Sequence, residues 1–403
     1  MNRTVLAVFL GSWLIAGVAS PQSGGVGERI RRVEEGLVAG APGKDAPVSR
    51  WKLAERMKHY QVPGLSVAVI NGGKIEWARG YGVVEAGGAR AVTPETLFQA
   101  ASISKPVAAM AALRLVEEGR LSLDEDVNRR LVSWKVPENE FTKEKKVTLR
   151  RILSHSAGLT VHGFRGYAVG EKVPTLLDVL EGRKPANSRP IQVDVVPGSL
   201  SRYSGGGYCV LQQMVEDVLK KPFAETMERT VLSRLGMRQS TYRQPLPRGL
   251  ADRAATGHRK DGQPIPGKWY TYPEMAAAGL WTTPSDLARF AIELERSYAG
   301  RSNRVLSKEM IRQMLSRQMG GSGLGIGVDG EGPSVRFSHG GANEGFRCFL
   351  VAYRDSGRGA VVMTNGDGGG ELGMEIIRAI AEEYEWPDYR VAAGAAHGSK
   401  QAK

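Results

Sequence analysis

Apolar positions along this chain form stretches of helical spacing and short apolar runs, and the change from one to the other divides it. Ile30, Val33 and Leu37 fall at helical spacing, which resumes over residues 51–60 until Pro63-Gly64 breaks it. Residues 65–70 form a short, mostly apolar run. Asn71-Gly72-Gly73 reads as a tight turn and residues 74–82 as a second strand, which together signal a hairpin. A helix is predicted over 105–118, where Val107, Met110, Ala111, Leu113 and Val116 share one face. Residues 120–290 read as helical and loop-rich, with helices near 208–220, 222–234 and 284–297, and another follows at 307–317. Strand signals return at 335–338, 346–353 and 359–364, and a helix over 371–384 closes the pattern.

Strands thus lie near both chain ends, with helices between them. The economical arrangement is an α+β fold: one antiparallel sheet formed from both chain ends, flanked by helices, with an inserted, mainly helical subdomain. The expected domain covers 50–388. Its α/β part is about 50–100 and 285–388, and its helical part about 101–284. No internal repeat is visible.

The ends carry a different pattern. Arg3 is the only charge before Glu28, residues 5–18 are apolar, and small residues follow at Gly17 and Ala19. This is the layout of a secretory signal peptide over 1–19, with cleavage expected after Ala19, because a cut after Ser20 would set Pro21 beside it. The apolar run falls short of the ~20 residues of a comfortable bilayer span; an uncleaved anchor is the alternative. Residues 20–49 read as a leader and N-terminal helix, and 389–403 as a low-complexity disordered tail. The expected location is secreted or periplasmic. Export implies an oxidising compartment, yet Cys209 and Cys348 read as two buried free thiols.

Composition narrows the classes. With 41% apolar and 24% charged residues the chain is globular. Two cysteines exclude a disulfide scaffold, and no Cys/His spacing fits a zinc site, so neither metal nor cofactor is expected. A net charge of +13 alone would permit a nucleic-acid partner. Export and the lack of a basic aromatic cluster argue against one. The charge suits loose association with an acidic cell envelope. Lys143–Lys146 reads as a solvated turn. Glycine, at 51 of 403 residues, has no collagen period and should mark turns and close backbone approaches.

The chemistry must come from motifs. G-x-S-x-G, H-E-x-x-H and P-loop patterns are absent. A G-x-G-x-x-G occurs at Gly325–Gly330, but it does not follow a strand and open a helix, so it reads as a glycine-rich strand and turn. S-x-x-K occurs at Ser49–Lys52 and at Ser102–Lys105. Ser49 sits in a basic linker. Ser102 sits at the start of a strongly amphipathic helix, where one turn sets Lys105 beside its hydroxyl, able to activate it once desolvated. A helix N-terminus also favours an anionic oxygen. Tyr203, in PGSLSRYSGGGY, follows a Pro-Gly turn and precedes a helix, a setting for a proton shuttle or for an ordinary loop tyrosine. His339-Gly340-Gly341 lies at the end of one strand and before another, where glycines would admit a substrate to the backbone.

Taken in order, these motifs resemble the serine β-lactamase and penicillin-binding protein superfamily, in its class C-like branch. The resemblance covers roughly 50–385 and includes VPGLSVAVI, LFQAASISKPVAA, LRRILSHSAGLT, PGSLSRYSGGGY, LGMRQSTY, AAAGLWTTPSDLARF and HGGANEGF. It implies a β-lactamase/transpeptidase-like fold with Ser102 as acylated nucleophile. Lys105 and Tyr203 would share the general-base and proton-transfer work, and His339 would stand for the family's strand Lys or His. The backbone N–H groups of Ser102 and Ala342 would form the oxyanion hole. Gly205, Gly340, Gly341, Asn343, Tyr270 and Tyr272 are the candidate substrate contacts. Gly205 stands where the family's Tyr-x-Asn has its amide, which weakens the implication of efficient β-lactam hydrolysis. His155 reads as structural and Trp281 as core. The implied substrate is a small molecule or peptide with a hydrolysable carbonyl, a peptide or D-amino-acid amide being favoured. The alternatives are a β-lactamase, a small-ester carboxylesterase and a slowly acylating penicillin-binding sensor. Oligomeric state is left open.

Overall fold

The computed structural model describes residues 25–40 and 49–389. The expected signal peptide and the tail from 390 onward lie outside the described residues.

The frame is a six-stranded antiparallel sheet. Its strands are β1 (Gly64–Asn71), β2 (Lys74–Gly82), β3 (Gly327–Asp329), β4 (Arg336–Asn343), β5 (Phe346–Tyr353) and β6 (Gly359–Thr364). Their spatial order is β2-β1-β6-β5-β4-β3. The N-terminal hairpin therefore pairs with the C-terminal strands through β1 and β6, from Leu65↔Thr364 to Ile70↔Gly359. The sheet is built from both chain ends, as the apolar pattern predicts.

Side chains alternate across a strand, and β1 divides its apolar residues between two cores. Leu65, Val67 and Val69 face one side, with Val362 and Ala360 of β6. Ala68 and Ile70 face the other, with Val361 and Met363. The first side is covered by α1 (Val26–Glu35), α2 (Leu53–His59) and the terminal helix α6 (Gly369–Glu383), through Val33, Leu53, Leu372 and Ile376. A buried bidentate pair locks two of these helices together: Arg56 Nε and Nη2 donate to Glu375 at 2.8 and 2.7 Å. The second side carries α3 (Ser104–Glu117), α4 (Gly205–Leu219) and α5 (Pro284–Tyr298). Residues 104–113 of α3 are buried without a break, so this helix is surrounded by the fold. A short ladder of Phe98–Gln99 with Trp281–Thr282 joins the entry to α3 to the segment before α5. Trp281 is fully buried, as expected of a core residue.

Two expectations change. The strand expected at 335–338 runs on to Asn343, so His339 lies within β4, paired with Leu350, and not at a strand end. Glycine pairs weaken a strand signal because they have no side chain to pack; here close approach of another segment requires the second of them, Gly341. The helix expected over 222–234 comprises three consecutive helical segments, Phe223–Met227, Glu228–Leu232 and Ser233–Leu235. The Gly325–Gly330 stretch contributes the edge strand β3, in keeping with its strand-and-turn reading.

Candidate active site

The turn before α3 is strained and heavily braced. Ala101 has φ of 49°, in the left-handed region. A non-glycine residue there costs about 1–3 kcal/mol and persists only where its surroundings hold it. Ser104 Oγ donates to the Ala101 carbonyl at 2.5 Å and accepts from Leu280 N at 3.0 Å. The Cys348 thiol lies 3.2 Å from the Ala100 carbonyl and 3.3 Å from that of Gln99. Ser102 follows, half-buried. One turn on, Lys105 is buried, with its Nζ 3.0 Å from Ser102 Oγ and 2.7 Å from the Ala277 carbonyl. The other S-x-x-K pair, Ser49 and Lys52, is exposed at the start of α2.

Tyr203 reaches this pair from the start of α4. Ser204 caps that helix, its Oγ accepting from Gly207 N at 3.0 Å. The Tyr203 ring is half-buried, and its centroid lies 5.0 Å from Lys105 Nζ. The His155 ring lies 4.2 Å from it and the His339 ring 6.3 Å, centroid to centroid. His155 Nδ1 accepts from Ser204 N at 3.2 Å. Burial, with the nearby positive charges of Lys105, His339 and His162, pushes the His155 pKa well below its ordinary 6.5. It is thus a neutral brace, the structural role expected of it, although it stands closer to the chemistry than its motif suggests.

The third wall is β4. Alternation puts His339, Gly341 and Asn343 on one face and Gly340 and Ala342 on the other. The first face meets the braced turn: a Cβ on Gly341 would stand 2.3 Å from the Ala100 carbonyl oxygen. Strand β3 pairs only with Arg336–Ser338, so β4 runs past its neighbour from His339 onward. Ala342 is exposed, and its side chain faces away from the turn.

The beta-lactamase family model matches residues 51–385. The chain belongs to the beta-lactamase family. Penicillin-binding protein 4 of Amycolatopsis lactamdurans is 28% identical over 354 residues, covering 82% of this chain and 87% of that protein. Esterase EstB of Burkholderia gladioli is 30% identical over 247 residues, covering 57% and 60%. Protein flp of Staphylococcus aureus (strain N315) is 27% identical over 228 residues, 56% of this chain; the match spans only 42% of that protein. The octameric penicillin-binding protein homologue of Pyrococcus abyssi superposes with a TM-score of 0.64 at 24% identity, covering 82% of this chain and 75% of that one. Such a likeness shows a shared fold.

In this beta-lactamase-family chain, the remaining expected contacts are placed in the frame. Asn343 is buried, and its Nδ2 donates to Gln99 Oε1 at 2.8 Å and to the Ala278 carbonyl at 3.2 Å. Tyr272 is buried; its hydroxyl donates to the Arg165 carbonyl at 3.0 Å and accepts from Glu344 N at 3.1 Å. Tyr270 is nearly buried, with Arg259 Nη2 donating to its hydroxyl at 3.1 Å and the Arg165 guanidinium 5.9 Å from its ring centroid. All three are buried and engaged with neighbouring loop and strand groups. Gly205 packs against the 162–164 backbone: a Cβ there would meet the His162 carbonyl at 3.0 Å and Phe164 at 3.1 Å. A side chain there would need those neighbours to shift by a few tenths of an ångström.

Sequence reasoning missed Gln99. Its amide joins three segments, since Nε2 donates to the Tyr270 carbonyl at 2.8 Å while Oε1 accepts from Asn343. The available signal was a lone amide in the apolar LFQAA run. Cys348 is also closer to the chemistry than expected: both cysteines are free and buried, and burial pushes the Cys348 thiol up to about 12, so it acts as a weak donor to the turn. Among the described residues no group of three His, Cys, Asp or Glu side chains is placed to hold a metal ion, and no helix is long and apolar enough to cross a membrane.

Proposed function

We propose that the protein is an exported serine hydrolase that cleaves an amide or ester through an acyl-enzyme on Ser102, with peptide or D-amino-acid amide substrates favoured. The observation that carries this reading is the 3.0 Å contact between Lys105 Nζ and Ser102 Oγ at the start of a buried helix. Export is supported by the signal-like pattern of residues 1–19.

The chemistry follows from the geometry. The Ser102 hydroxyl proton passes to Lys105, directly or by way of Tyr203, as Oγ attacks the substrate carbonyl carbon. The electron pair moves onto the carbonyl oxygen, which takes hydrogen bonds from the main-chain N–H groups of Ser102 and Ala342. When the carbonyl re-forms, the bond to the amine or alcohol breaks, and that group leaves with the proton. An ester on Ser102 remains. Water then adds to it, the Ser102 oxygen regains a proton, and the acid departs. His339, reaching toward Tyr203 from β4, orients the substrate or relays a proton.

Penicillin-binding protein 4 as a relative supports the amide preference. A small-ester carboxylesterase is the second reading. It is favoured by glycine at 205, which leaves no side-chain amide where the family's Tyr-x-Asn has one, and by the relative Esterase EstB. A time course with a fluorescent penicillin and a p-nitrophenyl ester separates the readings. A lasting adduct supports the peptidase and a transient one a β-lactamase. Ester turnover without an adduct supports the esterase. Neither labelling nor turnover of any ester or D-amino-acid amide would overturn the hydrolase itself.

A further inference from the structure

The loop that precedes the Tyr203 segment is strained where nothing in the motifs requires it. Val161 has φ of 65°. A β-branched side chain in the left-handed region is a true outlier, and such strain is kept where the surroundings over-determine it, commonly at functional sites. Here the determinants are the residues directly after Tyr203. Ser204 Oγ donates to the Thr160 carbonyl at 2.9 Å, Gly206 N to that of Val161 at 3.0 Å, and Gly205 N to that of His162 at 2.9 Å. The glycines permit this: a Cβ on Gly206 would stand 2.5 Å from the Thr160 oxygen, and one on Gly205 3.0 Å from the His162 oxygen. The two segments are thus zipped carbonyl by carbonyl. The result of that pairing is a specific contact, the exposed His162 ring at 4.9 Å from the Tyr203 ring, centroid to centroid.

We propose that His162 is a positioning residue for Tyr203, its ring fixing the phenol that serves Ser102 and Lys105. The proposal rests on the acyl-enzyme reading above. In this arrangement His155 braces Tyr203 from the buried side and is tied to Ser204 N, while His162 adds a contact from the exposed loop. A flat ring is what the contact uses, so Phe should replace His162 and Ala should not.

The test compares His162→Ala and His162→Phe with the wild type in burst kinetics on a p-nitrophenyl ester. In His162→Ala the acylation rate constant should fall about tenfold, below the ~10²-fold that an ångström of misplacement can cost. KM and the melting temperature should stay near wild-type values. His162→Phe should recover most of the lost rate. Wild-type acylation in His162→Ala, or no recovery in His162→Phe, would overturn the proposal. The Tyr203 ring NMR signals give a readout independent of activity: they should shift in His162→Ala, and unmoved signals would overturn the positioning role. A wild-type protein that forms no acyl-enzyme while those signals still shift would instead count against the hydrolase reading.

Discussion

Gly341 and Ala100 are in such close apposition that a Cβ on the glycine would stand 2.3 Å from the alanine carbonyl oxygen and 2.9 Å from the Cys348 sulfur. The strand that carries His339 therefore fits against the turn that carries Ser102 only because residue 341 has no side chain. Nothing comparable confines its neighbour. A Cβ on Gly340 would meet only the Cys348 carbonyl oxygen, at 3.9 Å.

The two glycines should accordingly respond differently to alanine. Gly341→Ala forces the strand or the turn to move and is expected to cost about 1–3 kcal/mol in stability, with a loss of kcat/KM. Gly340→Ala should fold and melt as the wild type does. Thermal unfolding and steady-state kinetics on the same ester check both, and equal melting temperatures for the pair would contradict the packing.

Lys105 should be indispensable for rate and not replaceable by arginine. Proton transfer by a positioned side chain contributes about 10²–10⁴-fold, so Lys105→Ala should lower kcat by that order. Lys105→Arg should not restore it, because a guanidinium is larger and does not give up its proton. Single-turnover acylation rates, with circular dichroism to verify the fold, provide the measurement. Near-wild-type acylation in Lys105→Ala would remove the lysine from the mechanism.

The Gln99–Asn343 amide pair should behave as a brace for the turn. Asn343→Leu leaves the buried Gln99 and Ala278 oxygens without that donor, an expected loss of about 1–3 kcal/mol. Because the buried Asn343 amide is engaged by Gln99 and Ala278, kcat should fall through misplacement of β4, while inhibition constants for small competitive ligands stay nearly constant. A selective loss of ligand affinity at unchanged stability would instead mark Asn343 as a substrate contact.

Alkaline pH should weaken the fold. Burial pushes the carboxyl of Glu274 up to about 8 and that of Glu295 up to about 9. Neither carboxylate oxygen pair has a hydrogen-bond partner among the described residues. Both groups are held neutral in the folded state and ionise at ordinary values once unfolded. Their contribution is therefore full below the usual carboxylate range of about 4.3 and is lost as pH rises through about 8 and about 9. The melting temperature should decline between about pH 5 and about pH 9, less steeply in Glu295→Gln. Identical slopes would contradict the assignment.

Much of this arrangement is legible in the chain itself. Short apolar runs near both ends foretell a sheet that joins them, because strands buried on both faces read as near-continuous apolar stretches. The Ser102–Lys105 spacing foretells the contact at 3.0 Å, because one helical turn fixes it. What periodicity does not report is which polar groups meet. Gln99 and Asn343 lie far apart in sequence and bond only once β4 reaches the turn. Nor does it report that the hydroxyls of Tyr270 and Tyr272 bond Arg259, the Arg165 carbonyl and Glu344 N. His162 escapes notice because its approach to Tyr203 depends on a strained Val161 and on side-chain-free positions at Gly205 and Gly206.

The most direct test is to trap the intermediate and locate it. The protein is quenched in acid during turnover of an activated ester or a penicillin, digested, and mapped by mass spectrometry. The predicted result is one acyl group on the peptide containing Ser102, absent in Ser102→Ala, which should be folded and inactive. An acyl group on another residue, or turnover by Ser102→Ala at the wild-type rate, would contradict the assignment of Ser102 as the nucleophile.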